Sequence, residues 1–315
     1  MEAEYTLRRT KSAKKELIRK DFHAHWFAYL LILPVLAWYL VFCYAPMWGV
    51  MISFQDFKPL LGFFRSPWVG WKHFSEFITG PYFWRLIKNT LLLNIWGLVF
   101  GFPAPIILAV VLNEIRHKWL KRSLQTITYM PHFISLVVLC GMIYIFTQPN
   151  GVLTQMVGFF TGHTDQSLLG VSSYFRPIYT FSGVWQNIGW DSIIYLAAIG
   201  NIDSELYESA SLDGANKLQS IWHVTLPGML PTIIILLIFA MGGLLNSSFE
   251  KIILLYNPLT YDRADVIASY VYRRGIREGS YSFSTAVGLL SSVVNFGFLW
   301  ATNVFARKYS EISLW

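Results

Sequence analysis

Residues 208–231 read ESASLDGANKLQSIWHVTLPGMLP and form the longest polar interruption between the strongly apolar segments in the second half of the chain. We expect two short helices here. Asp203 or Ser204 can cap the start of the first helix, and Glu205 lies in its first turn, where the helix dipole favours an acid. Gly214 then permits a sharp bend that a residue with a Cβ would resist.

The second helix of this stretch has one largely apolar face. Its members recur at three- and four-residue spacing, at Leu218, Ile221, Trp222 and Thr225. We expect Pro227 and Pro231 to end this helix and to set the entry to the next apolar helix. The stretch therefore predicts a compact helix–turn–helix unit at the membrane surface.

The spacing of this unit resembles the EAA loop of bacterial ABC-importer permeases, which reads E-A-A, three residues, G, nine residues, I-x-L-P. The matching positions are Glu208, Ser209, Ala210, Gly214, Val224, Leu226 and Pro227, and Asp213-Gly214-Ala215 is the form common in sugar permeases. Ser209 and Val224 are small departures from the pattern. In that family the loop docks into the ATP-hydrolysing subunit, so we call residues 203–228 the coupling loop. The alternative interpretation is an ordinary amphipathic connector between membrane helices.

The composition indicates a membrane protein. The 315 residues are 54% hydrophobic and 14% charged, whereas about a quarter of the residues of a soluble domain are charged. Aromatic residues make up 17%, which suits helix ends at membrane interfaces. The net charge of +7 is concentrated at the ends of apolar segments, which favours a role in membrane orientation over nucleic-acid binding. Cys43 and Cys140 lie in apolar runs and are expected to be buried thiols.

Six apolar segments are long enough to span a hydrocarbon core of about 30 Å. We predict an all-α protein with spans at 26–50, 86–112, 124–146, 177–200, 229–255 and 280–306. Pro103 and Pro105 should kink the second span. The predicted organisation is a basic arm at 1–25, a permease domain at 26–306 and a tail at 307–315, with both termini cytoplasmic. The arm is either partly helical or a disordered basic tail.

The last outer loop departs from the positive-inside rule, which the early loops obey. Cations lie in or beside this loop at Lys251, Arg263, Arg273, Arg274 and Arg277. One hypothesis assigns the four arginines to an acidic substrate, because Arg is a good bidentate partner for a carboxylate. The alternative is contact with a partner protein or with lipid headgroups.

The sequence contains no machinery for catalysis or for using ATP. It has no G-x-x-x-x-G-K-[ST] phosphate loop, no G-x-S-x-G elbow and no histidines at metal-ligand spacing. We therefore expect a non-enzymatic chain without a cofactor of its own, with ATP and Mg²⁺ bound by partner subunits. Glu208 would be the best charged contact to such a partner, and Trp222, Leu226 and Pro227 would supply shape and apolar contact.

Polar and aromatic side chains interrupt the later spans and are candidates for a substrate path. They include Trp185, Asn187, Trp190, Asp191, Asn246, Ser247 and Asn295. Aromatic faces stack on sugar rings and amides bind hydroxyls, and a polar residue is costly in lipid, so these residues should face an interior. For each single residue, hydrogen bonding between helices is the competing interpretation.

Three further stretches resemble the carbohydrate branch of these permeases, which imports oligosaccharides such as alginate, aldouronate and rhamnogalacturonan fragments. They are GVWQNIGWDSIIYLAAIGNIDSELYESASLDGA (183–215), LNSSFEKIILLYNP (245–258) and YVYRRGIREGSYSFSTAVGL (270–289). The resemblance implies the type I importer architecture, a multi-pass protein of the bacterial cytoplasmic membrane, and alternating access. It also implies a heterodimer with a second permease, two ATPase copies and an extracellular solute-binding protein. An ion-coupled carrier working alone remains the alternative and would make Asp191 essential.

Overall fold

The chain is built from helices. The computed structural model describes residues 2–162, 165–310 and 313–314, and part of the predicted tail at 307–315 lies outside them. Within the described residues there is no β-strand, and Gln55 and Trp68 form an isolated antiparallel bridge. The all-α prediction is confirmed.

The α-helices of the described residues are joined by short 3₁₀ and π turns or by loops. In chain order they are α1 (Glu2–Trp38), α2 (Gly62–Arg65), α3 (Lys72–Ile78), α4 (Phe83–Trp96), α5 (Pro103–Glu114), α6 (Lys118–Tyr129), α7 (Leu136–Phe146), α8 (Val152–Thr161), α9 (Ser172–Gly200), α10 (Ser204–Leu212), α11 (Lys217–Ser220), α12 (Leu226–Gly242), α13 (Phe249–Leu255), α14 (Tyr261–Ala264), α15 (Ile267–Tyr272) and α16 (Tyr281–Ser310).

Apolar helical stretches of membrane-spanning length recur along the described part of the chain. Four are continuous, at Lys20–Phe54, Phe83–Glu114, Lys217–Gly242 and Tyr281–Lys308. A fifth consists of Lys118–Phe133 and Leu136–Phe146, which meet at a bend of 96°. The 29-residue α9 is about 43 Å long at about 1.5 Å per residue but is not among these apolar stretches. Its polar residues have neighbours in the protein, since α9 contacts α5, α6 and α12.

The first span stands apart from the rest of the chain. Its helix continues from α1 through a π turn and a 3₁₀ segment to Phe54, with non-helical backbone at His25. None of its most apolar window is buried against other parts of the chain. Cys43 is therefore exposed, contrary to the expectation of a buried thiol, whereas Cys140 is buried, and both are free.

Two predicted spans are interrupted. The second span is instead continuous over Phe83–Glu114 and passes through a π turn, Gly97–Gly101, just before Pro103, so the kink expected at Pro103 and Pro105 stays a prediction. The prediction that the third span is one continuous helix is wrong. Pro131 lies in a 3₁₀ turn that ends the first part, and Ser135 accepts a hydrogen bond from the Val138 amide at the start of α7, which runs in a new direction. The fifth span is likewise not continuous, since residues 243–248 separate α12 from α13.

A tight helix crossing fixes α9 against α6. Gly189 of α9 lies against the backbone of Thr128 and Tyr129, where no side chain would fit. Small residues permit such close approach, and they are the usual means of helix packing in membranes. The crossing positions the polar half of α9 next to the other helices of the bundle.

Candidate coupling loop and translocation cavity

The coupling loop consists of two capped helices. Asp203 accepts a hydrogen bond from the Glu205 amide at 3.0 Å at the start of α10, as the sequence predicts. At the start of α11, Asn216 and Gln219 form a reciprocal capping box with bonds of 2.7 and 3.0 Å. These caps satisfy amides that would otherwise lack a partner.

Gly214 makes the bend between the two helices. Its φ is +79°, a left-handed conformation in which residues with a Cβ are strained. A Cβ at this position would meet nothing within 4 Å, so the requirement for glycine is conformational and not steric. The bend predicted at Gly214 is confirmed.

The second helix does not end as predicted. α11 is only four residues long and passes through a π turn, Ile221–Thr225, directly into α12. Pro227 is the second residue of α12 and follows the π turn directly, and Pro231 lies inside α12. The coupling loop is thus continuous with a membrane helix.

The coupling loop carries large apolar side chains that are exposed. Leu212 is 89% exposed, Leu218 71% and Trp222 68%. The predicted contact residues Glu208, Ser209, Asp213, Gly214 and Pro227 are also exposed, while Ala210, Ala215 and Leu226 are half-buried. Exposed apolar side chains grouped in this way mark an interaction surface. Sequence reasoning missed Leu212, which is the last residue of α10 and lies two positions before Gly214.

Specific contacts join the coupling loop to the membrane helices. Lys217 pairs with Glu114, at the end of α5, at 3.4 Å. The hydroxyls of Tyr207 and Thr225 are 3.1 Å apart and hold α10 against the start of α12. A Cβ on Gly228 would lie 2.5 Å from the Ile202 side chain, so the backbone packs closely there.

Beneath the coupling loop lies a buried cluster that includes Ala109 of α5, Tyr195 and Ile199 of α9, and Met229 of α12. Three membrane helices therefore meet at the base of the loop. A displacement of the loop would be transmitted to all three, because a packed core resists local deformation.

A cavity of about 480 Å³ opens between α4, α9, α12 and α13, and we call it the polar cavity. The polar side chains that line it include Asn94, Gln186, Asn187, Asp191, Ser248 and Lys251. A second cavity of about 620 Å³ shares Gly101, Phe102 and Asp191 with it and reaches Trp190 and Leu236. Asp191 therefore lies where the two cavities adjoin.

The predicted substrate-path residues of α9 fall in different places. Asn187 and Asp191 line the polar cavity, and Trp190 lines the second one. The Trp190 ring stacks on His132, with centroids 4.5 Å apart, and His132 also contacts the Asn187 side chain at 3.0 Å. Trp185 lines a separate, apolar cavity instead.

The other three predicted path residues hold the broken fifth span. Asn295 of α16 accepts a bond from the Leu245 amide at 2.8 Å and donates to Asn246 at 3.0 Å. Ser247 accepts a bond from Asn94 at 3.1 Å. None of the three is among the residues that line the described cavities. Their contacts match the competing interpretation, which is hydrogen bonding between helices.

Lys251 was not predicted as a site residue, but it lines the polar cavity with its side chain buried. Its Nζ donates to the backbone carbonyl of Tyr179 at 2.9 Å and lies 4.8 Å from the centroid of the Tyr179 ring. A signal was present in the sequence: Lys251 directly precedes the apolar run Ile252–Leu255.

Three cations of the last outer loop have carboxylate partners within the chain, and the weakest of these pairs joins Arg263 to the adjacent Asp262 at 3.9 Å. Arg273 pairs with the fully buried Asp265 at 2.7 Å, and Arg85 approaches the same carboxylate at 3.5 Å. Burial alone would lower the pKa of Arg273, but its bonds to Asp265 and to Tyr256 outweigh burial and raise the pKa.

Another of these cations, Arg274, is bound by Glu278 at 2.9 Å and by Glu76 at 3.2 Å. The bond to Glu278 raises the pKa of Arg274. These internal pairs explain the positive charge of the outer loop, and they argue against Arg273 and Arg274 acting as free cations for a sugar. Arg263 and Arg277 are exposed, and their contact with a partner stays a prediction.

A family model for binding-protein-dependent transport system inner membrane components matches residues 101–311, which include the coupling loop and most of the residues that line the two cavities. The chain belongs to this family. It is therefore a multi-pass membrane permease subunit that transports without catalysing a reaction and depends on a binding protein.

Curated relatives of this permease are similar along almost its whole length. Protein LplB of Bacillus subtilis (strain 168) is 43% identical over 287 residues, which cover 91% of this chain and 90% of that protein. The polygalacturonan/rhamnogalacturonan transport system permease protein YteP, from the same organism, is 40% identical and covers 96% and 94% of the two chains.

Two solved structures share this fold. One is a bacterial ABC transporter involved in the import of the acidic polysaccharide alginate, with 41% identity and a TM-score of 0.84 over 93% of this chain and 99% of that one. The other is a bacterial alginate ABC transporter in complex with a pentasaccharide-bound periplasmic protein, with 40% identity and a TM-score of 0.85 over 94% and 99%.

Proposed function

We propose that this permease is the membrane subunit of an ATP-driven importer of oligosaccharides, including acidic ones, in the bacterial cytoplasmic membrane. It would work with a second permease, two ATPase subunits that bind ATP and Mg²⁺, and an extracellular solute-binding protein. The basic arm at 1–25, the coupling loop and the tail at 307–315 would be cytoplasmic. With α9 and the bent pair each counted as one span, the chain would cross the membrane six times.

The observation that carries this proposal is the construction of the coupling loop. It presents Leu212, Leu218 and Trp222 to solvent, while Lys217 and Tyr207 fix it to the membrane helices. Such a unit is suited to receive a force from a separate protein and to pass it to the bundle. Movement of the coupling loop by the ATPase would then alternate access to the polar cavity.

The exposed first span supports a partner permease. Residues Lys20–Phe54 place large apolar side chains on all sides and bury none of their most apolar window within this chain. Lipid can cover such a surface, but a second permease would hold the span in a defined orientation. We therefore assign this span to the heterodimer interface.

The cavities support an oligosaccharide as substrate. Amides, hydroxyls and aromatic rings line them, and these groups bind sugar hydroxyls and ring faces. The similarity to YteP and to the alginate transporter supports an acidic sugar, and the buried cation Lys251 is consistent with it.

The experiment measures ATP-driven uptake by the complete transporter in proteoliposomes, with Gly214→Asp and the matched control Gly279→Asp. Both glycines have positive φ, +79° and +71°, and both have open space at the Cβ position, but only Gly214 lies in the coupling loop. We expect coupled uptake to be lost in Gly214→Asp alone, and Glu208→Lys to behave like it. Normal coupled uptake in both loop variants would contradict the proposal, as would uptake by this chain alone under an ion gradient.

A further inference from the structure

Lys251 is a buried cation that pairs with no carboxylate in the part of the chain that the structure describes. Its side chain is 5% exposed, and among the described residues no carboxylate lies within ion-pair distance of Nζ. By contrast, the cations Lys217, Arg273 and Arg274 pair with Glu114, Asp265 and Glu278. Removing a charge from water is expensive, so a buried unpaired ammonium in a membrane bundle indicates a functional site.

The Lys251 ammonium has bonding capacity left for a ligand. An ammonium group has three N–H donors, and the Tyr179 carbonyl accepts one of them at 2.9 Å. The face of the Tyr179 ring adds cation–π attraction, which does not neutralise the charge. Because Lys251 lines the polar cavity, its remaining donors can be reached by a bound anion.

The surroundings hold this ammonium in one place. Ile252 and Leu255, which lie on one face of the same short helix, belong to a buried cluster with Leu139 and Cys140 of α7. On the α9 side, a Cβ at Gly183 would lie 3.3 Å from Nζ, so glycine leaves room for the ammonium there. A cation held in this way can discriminate between ligands, because it loses little freedom on binding.

Asp191, the acidic residue that lines the same cavity, lies well away from Lys251. Asp191 is eight residues beyond Gly183 on α9, which corresponds to about 12 Å along the helix axis. A carboxylate bound at Lys251 would therefore not contact Asp191. Lys251 lies toward the Ser172 end of α9 and Asp191 toward the coupling loop, so the cation and the acid mark opposite ends of the cavity.

We propose that Lys251 determines specificity by binding a uronate carboxylate of the oligosaccharide as it enters the polar cavity. This inference rests on the proposed import of acidic oligosaccharides and adds the group that recognises the acid. The outer-loop arginines Arg273 and Arg274 instead form ion pairs with carboxylates of their own chain.

The test measures equilibrium binding to the assembled transporter in nanodiscs without the solute-binding protein, so that the cavity alone is probed. The probes are trigalacturonate, an alginate trisaccharide and the carboxyl-reduced, neutral form of each. Lys251→Met removes the charge, Lys251→Arg keeps it, and Arg65→Met is a matched loss of charge at an exposed position outside the cavity.

We expect Lys251→Met to raise the Kd of the acidic probe about ten- to a hundred-fold, the range of a hydrogen bond to a charged group. The Kd of the neutral form should change less than about two-fold on this basis, and Lys251→Arg and Arg65→Met should keep the preference for the acid. Lys251→Gln can still donate to Tyr179, so it gives the same test where Lys251→Met fails to assemble.

If Lys251→Met weakened the binding of the acidic and the neutral probes equally, Lys251 would have a purely structural role and the inference would be overturned. Unchanged binding of the acidic probe, or no binding of it by the wild type, would overturn it as well. ATP-driven uptake by the same preparations is measured separately. An importer that couples uptake to ATP but shows no effect at Lys251 would refute this inference and leave the proposed function standing.

Discussion

Gly189→Ala should destabilise the bundle although it adds only one methyl group. The new Cβ would lie 2.9 Å from the amide nitrogen of Tyr129 and closer still to the Thr128 carbonyl. Non-bonded heavy atoms are comfortable at about 3.5 Å or more, so α6 and α9 must separate by more than about 0.6 Å. Both contacts are backbone, which cannot rotate away. Overpacking of this kind costs about 1–3 kcal/mol.

The assay is thermal unfolding of the purified permease in detergent, followed by tryptophan fluorescence. At about 2–4 °C per kcal/mol, the apparent midpoint should fall by about 2–12 °C. The matched control is Gly141→Ala on α7, where a Cβ meets nothing within 4 Å. That variant should be neutral or more stable by about 0.5–1 kcal/mol, because Ala favours the helix. Equal midpoints for the two variants would refute the close crossing of α6 and α9.

Three further predictions concern single contacts. Gly214→Ala should cost about 1–2 kcal/mol in the local stability of the coupling loop, and Gly214→Asn less; hydrogen exchange of the loop amides checks both, and equal protection in the two would contradict the bend. Asp265→Asn should lower stability by about 3 kcal/mol by leaving Arg273 unpaired, and adding Arg273→Leu should restore part of the unfolding midpoint; no restoration would argue against the pair. Asn295→Leu should cost about 1–3 kcal/mol by depriving the Leu245 amide of its acceptor; Asn295→Asp keeps an acceptor and should melt higher than Asn295→Leu.

Local sequence signals predicted the coupling loop well. The Asp203 cap and the bend at Gly214 depend on residues a few positions apart, and both are present. By contrast, the prediction that the second helix of this loop ends at Pro227 was wrong, because a π turn joins α11 to α12 and the helix continues past Pro227.

Contacts between distant residues were beyond sequence reasoning. Asn295 stabilises a backbone amide 50 positions earlier, and its sequence context alone is equally compatible with a substrate-binding amide. Asp265 and Arg273 are close in sequence, but the segment between them was interpreted as part of an outer loop, whereas it forms the short helix α15 that brings the two side chains together. Lys251 was assigned to the outer loop because the break at 243–248, which places it beside the cavity, was not foreseen.

The most direct test of the account asks whether the exposed face of the coupling loop touches the ATPase in the assembled transporter. A photo-crosslinking amino acid replaces Leu212, which is 89% exposed, or the control residue Phe159 on α8, which is 86% exposed. We expect a covalent adduct with the ATPase subunit from position 212 and none from position 159. An assembled, ATP-hydrolysing complex that gives no ATPase adduct from position 212 would contradict it.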